Sequence, residues 1–286
     1  AWQRGLVPVG RASILRAIEL NATAVEANKA AFEWGRRAAV DLAAVRRAAE
    51  GDDPPPESHR PSASLDEAIA RRRAELVRYQ DEAYAARYED RVRRVREAES
   101  AKVPRSQALA AAVARGLFKL MAYKDEYEVA RLHADGEFLA RIARDFEGDY
   151  RIRVHLAPPL WARPDPATGE PRKTSFGPWM LKAMAFLAKL KGLRGGAFDP
   201  FGRTAERREE RRLLADYESL LDEILVRLEP GNLEVAVELA SLPEHIRGFG
   251  PVKARHAARV AGRREALLRR LRDPASGRKA EARAAA

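Results

Sequence analysis

The sequence predicts a mainly α protein, a multi-helix domain with a long helical hairpin and one small β element near residues 150–156. Three observations lead there. Apolar residues recur at helical spacing along most of the chain, as in Leu213, Leu214, Tyr217, Leu221, Ile224, Leu225 and Leu228. Period-two alternation is clear in one place, where Tyr150, Ile152, Val154 and Leu156 interleave with Arg151, Arg153 and His155. A composition of 46% apolar and 33% charged residues suits a charged, helix-rich globular chain, and 286 residues are enough to bury a sizeable core.

Each element has its own signal. Behind Pro8 and Gly10, the spacing of Ile14, Ile18, Val25 and Phe32 predicts a helix over 11–39, and a short helical piece follows from Asp41. Gly10 stands where a hydroxyl N-cap is expected. Three consecutive prolines in "GDDPPPESHRP" forbid helix and mark a linker. The resulting division is a helical segment at 1–50, a Pro-rich linker at 51–63, a helical domain at 64–272 and a disordered tail at 273–286. Ser64 and Glu67 have the form of a capping box. Leu65, Ile69, Leu76, Tyr79 and Val92 then mark one face of a single helix to about Ser100, with its arginines read as a solvated face.

A second helix is expected from Ser106 to Asp135-Gly136, ended by a left-handed glycine cap, and a third through Phe146. After the strand, "APPLWARPDPATGEP" with a turn at Thr168-Gly169 reads as a hairpin or a long ordered loop. Pro178 suits the first turn of a helix, Thr204 caps the helix carrying the Leu213–Leu228 face, Pro230-Gly231 ends it, and Asn232 caps the next. "LPEHIRGFG" leads into a last, basic helix.

Composition and motifs exclude several function classes. There is no cysteine, so disulfides, thiolate chemistry and a cysteine-ligated cluster within this chain are ruled out. His59, His133, His155, His245 and His256 lack metal-site spacing, and no phosphate-binding glycine loop or serine-nucleophile elbow occurs. The most apolar window, "FGPWMLKAMAFLAKLKGL", is interrupted by Lys182, Lys189 and Lys191, so no membrane span is expected and the chain reads as cytoplasmic. The net charge of +11 is local, since 250–286 holds 11 basic against three acidic residues, and nucleic acid is not an expected partner.

Two constellations carry candidate chemistry. The helix "LMAYKDEYEVARLH" (120–133) has a polar middle turn, Lys124, Asp125, Glu126 and Tyr127. Within it Lys124 and Glu128 lie one turn apart, Tyr123 can stack over Tyr127, and Glu128 precedes Arg131 by three. Read as structure, this is an interface charge network; read as function, it is a polar pocket completed by Arg151, Arg153 or His155, able to hold a carboxylate. The second is "GGAFDPFGRTAERR" (195–208), which places Arg203, Thr204 and Arg207 at a helix start. It is a candidate anion site, or an ordinary capped helix with Phe198 and Phe201 in a core.

Read in order, "AWQRGLVPV", "AIELNATAVEANKAAFEWGRRA", "FKLMAYKDEYEVARLH", "FEGDYRIRVHLAPPLWARPDPATGEPRK", "FGPWMLKAMAFLAKLKGLRG", "FDPFGRTAERR" and "LPEHIRGFGPVK" resemble the C-terminal part of the long fused indolepyruvate ferredoxin oxidoreductases. The resemblance covers roughly 1–253. It implies that about 1–38 close a gamma-type oxidoreductase domain and about 62–253 form the extension behind it. Enzymes of that family use thiamine diphosphate with magnesium to decarboxylate an aryl 2-oxoacid, pass electrons through iron-sulfur clusters to ferredoxin, and hand the acyl group to coenzyme A. The residues that bind these groups belong to segments preceding Ala1, so none is carried onto this chain. The expectation is a non-catalytic structural and assembly region, inactive by itself. Its partners would be the upstream domains of the same polypeptide, with homo-oligomerisation left open. The alternative is an independent helical binding protein with a basic C-terminal segment.

Overall fold

In the structure, a computed structural model, the described residues are 1–50, 61–157, 172, 174–248 and 250–273. They form twelve α-helices and one two-stranded antiparallel sheet, a mainly α fold. The chain divides into two units, Ala1–Ser62 and Ala63–Ala286. Most of the Pro-rich linker, the Thr168-Gly169 turn and the tail beyond Asp273 lie outside the described residues.

The first unit holds α1 (Arg11–Leu20), α2 (Val25–Val40) and α3 (Leu42–Glu50). The helix expected over 11–39 is interrupted at Asn21–Ala24, where Ala22 and Ala24 take φ of 54° and 43°. Alanine in the left-handed region carries a steric cost, and local bonds accompany the kink, the Asn28 amide donating to the Thr23 carbonyl at 2.8 Å and the Thr23 hydroxyl to the Asn21 carbonyl at 3.2 Å. Trp2 packs on Phe32 with ring centroids 5.7 Å apart, and the Arg36 guanidinium lies 5.1 Å from the Trp2 ring centre. Among the described residues of this unit none is buried. Leu6, Leu20 and Val40 are 72%, 69% and 77% exposed.

The second unit is built around one large core. The single helix expected from Ser64 to Ser100 is two, α4 (Leu65–Tyr79) and α5 (Glu82–Lys102), packed against each other. Asp81 is the reason: its backbone is extended and its carboxylate accepts the Tyr84 N–H at 2.8 Å, which starts a new helix. Ser64 caps α4 by accepting the Glu67 N–H at 3.1 Å. The arginines of α5 are not merely solvated. Arg87 and Arg91 pair with Glu218 and Asp222 on another helix, and Arg96 reaches back to Asp66.

The next expected helix is also divided, into α6 (Ala108–Met121) and α7 (Glu126–Ala134). Glu99, fully buried on α5, accepts the Leu109 and Ala110 N–H groups at 2.9 Å each and the Ser106 hydroxyl at 2.7 Å. It thereby caps α6, whose own N-cap residue Gln107 makes no side-chain bond. Gly136 is not a left-handed cap. Asp135 ends α7 in extended backbone, and Gly136 begins α8 (Gly136–Asp145).

Strand β1 is confined to Val154–Leu156, pairing with β2 (Thr174–Phe176) so that His155 faces Ser175. The alternation over Tyr150–Arg153 lies before the strand, outside the sheet. Pro178 precedes α9 (Trp179–Lys189) as its N-cap. Thr204 caps α10 (Ala205–Arg227), which buries Leu214, Tyr217, Leu220, Leu221 and Ile224. Asn232 precedes α11 (Leu233–Ser241) but caps differently than expected. Its amide bonds the Glu229 N–H and the Arg227 carbonyl, fastening the preceding turn.

Helix α12 (Gly250–Arg272) closes the core with Leu267, Leu268 and Leu271. Its Lys253, Arg263 and Arg272 pair with Glu210, Glu238 and Glu223. The main core thus joins α4, α5, α6, α10, α11 and α12. A smaller cluster, Ala130, Val154 and Met184, joins α7, β1 and α9. No helix among the described residues is long and apolar enough to cross a membrane.

Candidate functional site

The polar turn at 124–127 is where the chain leaves α6 and starts α7. Asp125 has extended backbone and is the N-cap of α7, its Oδ1 accepting the Glu128 N–H at 2.8 Å. A helix start needs such an acceptor for its unpaired N–H groups. The same carboxylate takes a bidentate pair of bonds from Arg194, from Nε at 2.5 Å and Nη2 at 2.9 Å. Both side chains are 4% exposed.

Arg194 also donates through Nη1 to the Tyr79 carbonyl at 2.5 Å, and its guanidinium lies 3.7 Å from the Tyr79 ring centre. The neighbouring Lys191 donates to the carbonyls of Val77 and Arg78 at 3.0 and 2.8 Å. The last carbonyls of α4 are therefore satisfied by two cations, whose charge suits the negative end of a helix. One guanidinium fastens the end of α4 to the start of α7.

The loop after Arg194 completes the junction. Glu126 pairs with Arg207 of α10, with Nε and Nη2 at 3.2 and 3.1 Å. Tyr127 donates its hydroxyl to Asp199 at 3.1 Å and packs edge-on against Phe201. Asp199 additionally accepts the Gly195 and Phe201 N–H groups at 2.8 and 3.1 Å, which folds the "GGAFDPFG" loop around its carboxylate. At Gly202 a side chain would stand 2.5 Å from the Asp199 Oδ2, so glycine is required for that close approach.

The two sequence constellations are thus one site, with different pairings from those expected. Arg151, Arg153 and His155 are exposed, and none bonds to Lys124, Asp125, Glu126 or Tyr127 among the described residues. Lys124 is exposed and does not pair with Glu128, and Tyr123 packs edge-on to Tyr79 rather than over Tyr127. Arg131 does pair with Glu128, at 2.7 Å. Arg203 donates to the Ala197 carbonyl at 3.2 Å, Thr204 caps α10, and Arg207 is engaged by Glu126, so the three do not converge on an anion. Phe201 is partly buried while Phe198 is 85% exposed, so only one of the pair enters a core. Arg194 and Asp199 are the partners that sequence reading missed. The glycines around them were a signal, because a loop so tight must be organised by something it encloses.

The ionisation of these groups is pushed toward their ordinary states at neutral pH. Burial, helped by Asp125, drives the Tyr79 hydroxyl up, and burial with Asp199 does the same for Tyr127. Burial disfavours the Asp199 anion, but the N–H groups of Gly195, Gly202 and Phe201 with the Tyr127 hydroxyl outweigh it and hold its pKa below the usual value. Burial likewise opposes the charge on Arg194 and Arg207, and the bonds to Asp125 and Glu126 prevail. Lys191 alone is lowered, by burial and by Arg131, and its ammonium is committed to α4 carbonyls. A general acid or base needs a pKa moved toward the working pH, and the tyrosines, Asp199 and the arginines are moved the other way.

Beside the junction lies an apolar pocket of about 430 Å³, with Val129, Leu156, Trp179, Met180 and Met184 on its walls and the Glu126–Arg207 pair at one edge. Among the described residues no group of three histidines or carboxylates is placed to hold a metal ion.

No curated protein and no solved structure matches this chain. Residues 65–266 match the model of a family of unknown function, DUF6537. That stretch covers more than two thirds of the 286 residues and takes in the whole junction from Tyr79 to Arg207, and the chain belongs to the DUF6537 family.

Proposed function

We propose that this chain is a non-catalytic structural and assembly region of a thiamine-diphosphate-dependent indolepyruvate:ferredoxin oxidoreductase, packing on the upstream domains of the same polypeptide. The observation that carries the reading is the absence of any buried residue among those described in Ala1–Ser62. Three helices with Leu6, Leu20, Trp34 and Val40 exposed have no core of their own, and small units without one need a covering partner. The ionic junction supports a structural role from the other side. Apart from the exposed Lys124, its charged groups are spent on one another, on helix ends and on the loop backbone.

The alternative, an independent binding protein using a basic C-terminal segment, is disfavoured because α12 is a core helix whose Lys253, Arg263 and Arg272 are already paired. In the parent enzyme, thiamine diphosphate, magnesium, the iron-sulfur clusters, ferredoxin and coenzyme A would be handled by the upstream segments. The reading frame preceding Ala1 tests the proposal. An uninterrupted frame carrying a gamma-type domain and cluster cysteines is expected, with the isolated chain inert toward arylpyruvates supplied with thiamine diphosphate and ferredoxin. A start codon near Ala1, or decarboxylation by the chain alone above a heat-killed control, would overturn it.

A further inference from the structure

A second cavity, of about 300 Å³, lies between α6 and the start of α12 and borders the junction turn at Tyr123 and Lys124. Four cations, Lys119, Lys124, Arg247 and Lys253, line it against a single carboxylate, Glu210. Lys253 donates to both Glu210 oxygens and so consumes that charge. The other three have no carboxylate within ion-pair distance among the described residues. Lys119 and Arg247 both donate to one carbonyl oxygen, that of Glu244, at 3.2 and 3.1 Å. The Glu244 carboxylate itself is turned to Arg115, 2.8 Å away.

Lys119, Lys124 and Arg247 are exposed, so water screens part of their mutual repulsion, and an anion among them would relieve the rest. Lys119 registers that cost: partial burial, then Arg247 and Lys253, lower its pKa, and only Glu244 opposes them. A singly charged carboxylate would leave most of the excess in place. A phosphate group has up to two charges and several acceptor oxygens, and lysines serve it as point charges approaching from different sides. The cavity is larger than a bare phosphate needs, and its remaining wall is apolar, with Ala122, Tyr123 and Ile246. We propose that this pocket binds the phosphate group of a small phosphorylated molecule, with Lys119, Lys124 and Arg247 as its ligands. The site is independent of the assembly reading and stands if that reading fails.

Titration of the full chain with inorganic phosphate, diphosphate and acetate at low ionic strength tests it, by calorimetry and by the rise in Tm. Saturable binding is expected, tighter for diphosphate than for phosphate, weak for the singly charged acetate, and falling with added salt. The double variant Lys124→Gln, Arg247→Gln is expected to bind at least tenfold more weakly. Its unliganded Tm serves as the control for folding, and Lys124→Gln alone gives a second measure, because that side chain is exposed and makes no bond that the fold requires. Failure to saturate, equal affinity in wild type and variants, or acetate binding as well as phosphate would each overturn the proposal.

Discussion

Asp125 meets three demands with two oxygens: it starts α7, neutralises Arg194, and through Arg194 reaches the end of α4. With both partners only 4% exposed, removing one leaves an uncompensated buried charge, which typically costs about 3–5 kcal/mol, against roughly 0–1 for a surface pair such as Arg93–Glu97. Asp125→Ala is therefore expected to be severely destabilising in urea unfolding. A double-mutant cycle with Arg194→Ala should show strong coupling, and coupling under about 0.5 kcal/mol would sink the account. Part of this was legible. Asp125 followed three residues later by Glu128 is a helix-start signature, and it answers why four polar residues sit in an apolar stretch. The partner was not legible, since Arg194 stands 69 residues away with no periodicity to announce it. Arg151 and Arg153 looked nearer in sequence, but both are exposed and precede the strand.

At the scale of the element, the existence of most helices followed from apolar spacing while their ends did not. Leu76 and Tyr79 on α4 and Val92 on α5 bury into the same core, so the helical period runs through the break at Gln80-Asp81 almost undisturbed. Only the capping residues mark the interruption. Long-range packing is equally silent in sequence, as Gly116 on α6 illustrates. A Cβ there would lie 2.7 Å from the Tyr217 hydroxyl and 2.8 Å from the Ala240 carbonyl oxygen, two atoms that bond each other. Gly116→Ala is expected to lower stability by about 1–3 kcal/mol, the usual cost of overpacking, even though alanine favours helix by about 1 kcal/mol. Gly262 on α12 is exposed and has nothing within 4 Å, so Gly262→Ala should raise stability by up to about 1 kcal/mol. Thermal melts of the two variants should shift in opposite directions. A Gly116→Ala protein as stable as wild type would show that α6, α10 and α11 can separate at no cost.

At the scale of the whole molecule, the two units should differ in how firmly they hold their backbone hydrogen bonds. Residues of α6 such as Leu109, Val113, Leu117 and Met121 have no exposed surface, so their amides can exchange only when the large core opens. Helices α1 and α2 have no buried residue, and isolated helices of 10 and 16 residues are marginal in water. The isolated chain is therefore expected to exchange the amides of 11–40 quickly, near the low end of the opening free energies of a folded protein, while α6 exchanges at the global limit. Hydrogen exchange read by mass spectrometry on the full chain distinguishes the two. Protection of α1 and α2 equal to that of α6 would mean that the first unit is complete as it stands and would remove the main support for an assembly role. Protection that rises with protein concentration would identify a second copy of this chain as the cover. Protection that appears only when the upstream polypeptide is present is the outcome the assembly reading requires, because the free energy of docking would then be what orders Leu6, Leu20, Trp34 and Val40.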